Sequence, residues 1–66
     1  MLDVVRPGEK VLPVRQFGLA PIVEPQYVVR VHPDGVEISP SPGGPPRTDL
    51  QDQPRHYPLQ GFRKVS

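Results

Sequence analysis

Imidazole and carboxylate are the groups in this sequence best able to hold a metal ion or move a proton, and they are thinly spread. His32 and His56 lie far apart, there is no cysteine, and carboxylates such as Asp34, Asp49 and Asp52 stand at none of the short spacings that mark a metal site. No metal site is expected: His32 reads as the residue that opens a turn and His56 as a surface or docking residue. Nucleophilic catalysis has equally little to work with. The hydroxyl groups are those of Ser39, Ser41, Thr48, Ser66 and the two tyrosines, and none stands in a nucleophile elbow. Asp34 and Glu37 flank a turn, where charged residues are ordinary solvated caps. Gly43-Gly44 runs into Pro45-Pro46, which removes two amide donors from any phosphate cradle. No catalytic residue, cofactor or enzyme activity is expected.

Two patterns suit binding better than reaction chemistry. Pro42, Pro45 and Arg47 fit the proline-and-basic spacing read by aromatic grooves, but any proline-rich spacer generates it, so residues 40–47 are expected to form a semi-rigid spacer. Arg47, Arg55, His56, Tyr57, Phe62, Arg63 and Lys64 combine cations with aromatic rings, as single-strand nucleic-acid binders do. Asp49 and Asp52 partly offset that charge. Protein docking is the preferred reading, with Tyr57, Leu59 and Phe62 filling pockets on a partner and Arg63 at the rim. The proline-free stretch from Leu59 to Ser66 is suited to extending a partner's sheet.

The elements that must position these groups are strands. Eleven prolines leave no proline-free stretch longer than eight residues, so helices of ordinary length are excluded. At most one helical turn is expected at residues 48–53, with Thr48 as its cap and Pro54 as its stop. The clearest signal is a β-hairpin over residues 26–39. Pro33 and Asp34 suit the centre of a type I turn, and Gly35 the left-handed position of an adjoining bulge. Strict alternation then places Tyr27, Val29 and Val31 on one face with Val36 and Ile38, opposite Val28, Arg30 and His32. Glu9 to Phe17 reads as an edge or broken strand because of Pro13. Arg6-Pro7-Gly8-Glu9 suggests a type II turn or looser loop after a short strand at residues 2–5.

Composition divides the chain. Leu, Ile, Val and Phe number 19 of 66 residues, above the roughly one-fifth below which a chain reads as disordered. Fifteen of the 19 fall in residues 1–39, whereas Pro and Gly make nine of the 27 residues in 40–66. The expected fold is a small all-β one, a hairpin or three-stranded antiparallel sheet over residues 1–39. Residues 40–47 follow as spacer and residues 48–66 as an extended docking arm. Such a sheet lacks a cover, which makes Tyr27, Val29, Val31, Val36 and Ile38 a candidate partner-binding face.

The expected function is therefore a non-enzymatic structural or interaction subunit of a larger protein assembly, of the kind found as virion adaptors, cement proteins or accessory subunits. The alternatives are a nucleic-acid-associated factor using the basic, aromatic tail and an inhibitor that adds a strand to an enzyme. Six arginines against two lysines, eleven prolines and no asparagine suggest a GC-rich coding sequence, as in some bacteria and their phages. No apolar run approaches the length of a membrane span or a signal peptide, so a soluble location in the cytoplasm or in a particle is expected.

Overall fold

A computed structural model describes residues 5–15 and 22–65. Four strands, β1 (Lys10–Pro13), β2 (Gln26–His32), β3 (Gly35–Ser39) and β4 (Phe62–Lys64), form one antiparallel sheet in the order β3-β2-β1-β4. A 3-10 turn at Leu59–Gly61 leads into β4. The small all-β class expected from the sequence is the observed one, with a fourth strand added.

Alternation breaks within β2. Val28 pairs with Ile38 and Arg30 with Glu37, leaving Val29 as an extra residue between them. A bulge of this kind reverses the parity of everything beyond it. The faces accordingly differ from those strict alternation gives. Val28 and Val31 share a face with Val36 and Ile38, while Tyr27, Arg30 and His32 share the other with Glu37 and Ser39. Gly35 was expected to form the bulge; instead it pairs with His32 directly across the two-residue Pro33-Asp34 turn. Its φ of +156° lies far from the left-handed helical value.

Pro13 was expected to make its strand an edge strand or a broken one, and the strand does stop there. Strand β1 is central, and the proline is tolerated because it is the last residue of the strand, paired with Phe62. The type II turn is present: Glu9 N–H donates to the Arg6 carbonyl at 3.1 Å, and Gly8, after Pro7, has φ +92°. The short strand expected at residues 2–5 lies mostly outside the described residues. Residues 48–53 are not helical. Thr48 bridges Pro54, and Asp49, not Thr48, supplies the cap.

Residues 40–65 are mostly irregular and are laid on the chain's own sheet. Arg47 N–H donates to the Ile38 carbonyl at 2.7 Å, and the Arg47 side chain donates from Nε to buried Gln26 Oε1 at 2.8 Å. Tyr57 then pairs with Val36 through two backbone hydrogen bonds of 2.8 and 2.9 Å. Strand β4 closes the sheet against β1. The core consists of Val11, Val28, Val36, Ile38, Tyr57 and Phe62 with Val5 and Ile22, and Leu59 packs against it. Tyr57 and Phe62 meet edge to face at 6.2 Å. The cover that residues 1–39 lack is thus supplied within the chain. Counting aliphatic residues segment by segment undervalues such rings, each of which buries about 150–250 Å².

Candidate functional site

The tight turn at Pro33-Asp34 and the strap of residues 40–65, which returns along β3, together build one polar cluster. Beyond the bulge, His32 and Glu37 fall on the same face of adjacent strands, two residues apart along the hairpin ladder. The Val36–Tyr57 bridge is antiparallel, so the neighbouring His56 falls opposite Glu37. His32 Nε2 is hydrogen-bonded to Glu37 Oε2, whose side chain is 6% exposed. The rings of His32 and His56 stack at 3.9 Å and 12°. His56 Nδ1 lies 2.8 Å from Asp34 Oδ1 at the hairpin turn.

A carboxylate only accepts hydrogen bonds, so the proton of that last contact belongs to His56 Nδ1. This hydrogen bond holds the Asp34 carboxyl below its ordinary value. The nearest ligating atoms of His32, Glu37 and His56 all lie within 4.8 Å of one another. Asp34 is therefore part of the cluster, whereas Asp49 and Asp52 stand in the separate 48–54 loop. Half of the arrangement was open to sequence reasoning. A two-residue turn after His32 places residue 37 diagonally across from it. His56 could not be placed without knowing that the strap returns along β3.

The expected partner-binding residues do not form one face. Val36, Ile38, Tyr57 and Phe62 are buried in the chain's own core, and Leu59 is partly buried against it. Tyr27 and Val29 are half-buried, and Val31, at 41% exposure, and Arg63 are open to solvent. The apolar face expected to await a partner is consequently occupied by Tyr57 and Phe62. Of the turn residues, Pro33 and Asp34 form the tight turn, and Gly35 admits the backbone of Tyr57 close beside it.

A second surface feature was not anticipated. Leu50 is fully exposed at the tip of the 48–54 loop. Asp49 Oδ1 accepts the amides of Gln51 at 2.8 Å and Gln53 at 3.0 Å, and Asp49 N–H donates to the Gln53 carbonyl at 2.8 Å. Asp52 takes a left-handed φ of +60° to close the turn. The two amides hold the Asp49 carboxyl below its ordinary value, that of Gln53 contributing most.

The fold and these surfaces define a small antiparallel sheet protein closed by its own C-terminal strap. No protein-family model, curated protein or solved structure matches the chain. Among the described residues no helix is long and apolar enough to cross a membrane.

Proposed function

We propose that this chain acts by binding rather than by catalysis, as a small structural or interaction subunit that docks on a larger protein assembly through its 48–54 loop. The observation that carries this reading is Leu50, a large apolar side chain presented on a turn that Asp49 fixes from both sides. A lone exposed leucine needs no explanation on a surface. On a pre-ordered loop it differs, because the entropy of fixing the backbone is already lost before a partner arrives. Virion adaptors and accessory subunits of multi-subunit complexes are the assemblies this size and build suit.

The alternatives have less behind them. A single-strand nucleic-acid reader would stack bases on Tyr57 and Phe62, and both are in the core. A strand-adding inhibitor would offer the outer edge of β4, where Arg63 and Lys64 are exposed charges of the kind that discourage edge pairing.

The test is sedimentation of tagged wild-type protein and Leu50→Ser from source cells, followed by stoichiometry in the heavy fractions. The wild type should co-sediment at fixed stoichiometry with one complex, and the variant should remain at the top as free protein. A free wild type, or a variant that co-sediments equally, would overturn the reading.

A further inference from the structure

We propose that His32, His56 and Glu37 bind one divalent transition-metal ion, with zinc the best match to the donors, and that Asp34 positions His56 for it. Two imidazoles and one carboxylate form a donor set that zinc accepts, three protein ligands leaving a fourth position for water or a partner's side chain. Their ligating atoms already lie within 4.8 Å of one another, against about 3.3 Å between donors around a tetrahedral zinc with Zn–N near 2.0–2.1 Å. The residues come from three separate parts of the chain: the end of β2, the middle of β3 and the strap.

Two features go beyond proximity. Glu37 is a carboxylate held in a 94% buried position on a strand, where a negative charge is costly unless a cation answers it. Asp34 accepts the Nδ1 proton of His56, which leaves Nε2 as the nitrogen that carries the lone pair in the neutral ring. A carboxylate on the far nitrogen of a ligating histidine is the recurrent way in which ring orientation and tautomer are fixed around a metal.

The metal-free geometry also dictates what must move. Imidazole lone pairs lie in the ring plane, and rings stacked at 3.9 Å and 12° direct them along nearly parallel lines. One ring must turn for the two to converge. His56 is the one that can, with Asp34 following so that their hydrogen bond is kept, because these side chains are 34% and 72% exposed, against 23% for His32. At His32 the ion takes the place of the proton between Nε2 and Glu37 Oε2, and that proton passes to Nδ1 or to solvent.

The experiment is calorimetric titration of the metal-free full chain with Zn²⁺, paired with Co²⁺ titration followed by visible absorption. The expected result is one ion per chain at micromolar free metal and a Co²⁺ spectrum of four- or five-coordinate intensity. Asp34→Asn should weaken Zn²⁺ binding about tenfold, within the roughly 10–100-fold typical of an orienting partner, and His56→Ala, which removes a ligand, by about a hundredfold or more. Neither should change the melting temperature of the metal-free protein appreciably. Absence of stoichiometric uptake by the wild type, or unchanged affinity in His56→Ala, would overturn the proposal. Sedimentation of the Leu50→Ser protein is independent of these outcomes.

Discussion

The backbone carbonyl oxygen of Tyr57 lies 2.5 Å from the position a Cβ would take on Gly35, closer than real side chains come to a backbone. Glycine at this hairpin end is therefore required by the strap lying over it, and its φ of +156° is also one that other residues resist. Gly35→Ala should lower stability by about 2 kcal/mol or more, and Gly35→Val by more again. Equilibrium urea unfolding measures both, and a midpoint equal to that of the wild type would mean that the strap does not pass there.

The same strap supplies two of the four Phe and Tyr residues, Tyr57 and Phe62, and both are buried. Phe62→Ala should cost about 3–5 kcal/mol, comparable with the whole stability of a domain this small. Truncation after Ser39 should leave residues 1–39 without a fixed structure, because β1 loses β4 and the core loses Tyr57 and Phe62. A dispersed amide spectrum from the truncated chain would count against this account.

Arg47 and Gln26 give a third measurement. Gln26 is fully buried, and Arg47 Nε donates to its Oε1 at 2.8 Å. Arg47→Met leaves that acceptor unanswered and should cost about 1–3 kcal/mol. Replacing both, as Arg47→Met with Gln26→Met, should recover part of the loss, since the Oε1 acceptor goes with its donor, while the Glu24 and Pro25 carbonyls lose the hydrogen bonds that Gln26 Nε2 donates to them. Thermal melts of the two single variants and the double variant decide it, additive losses being the adverse outcome.

Asp49 sets a pH dependence confined to its loop. Its folded pKa is lowered by the amides of Gln53 and Gln51, so the ionised form is the one that braces the turn. Its contribution is complete above the ordinary carboxylate value of 3.8 and is lost as pH falls through the lower folded value. The amide resonances of Gln51 and Gln53 should titrate together with a midpoint below 3.8 and should not titrate in Asp49→Ala. Titration at or above that value would show that the carboxylate is not their acceptor.

The sequence carried the hairpin and the type II turn because each depends on neighbours in the chain. Pro33-Asp34-Gly35 and Pro7-Gly8 state their turn chemistry locally, and the valines of β2 state their strand. The bulge at Val29 was not legible, because an extra residue in a run of valines changes no local preference. Its cause is tertiary: Val28 is drawn to Ile38 and Val31 to Val36 on a face that the strap covers. The fate of Tyr57 and Phe62 was hidden for a related reason. A segment rich in proline and glycine looks unable to fold, and so it is by itself, yet two rings and a few backbone hydrogen bonds suffice once a sheet is there to receive them. The His32–Glu37 half of the polar cluster follows from turn length, whereas the His56 half depends on that docking.

Strand order β3-β2-β1-β4 also bears on the order in which the sheet assembles. The β2–β3 hairpin joins residues a few positions apart and is of the class that forms in about 1–10 μs. The Val11–Lys64 pair must close a loop that contains nearly everything else, and loop closure of that length is entropically opposed until the contacts that reward it exist. The hairpin is therefore expected to form first and β4 to dock late, and Phe62→Ala to accelerate unfolding more than it slows folding in stopped-flow kinetics.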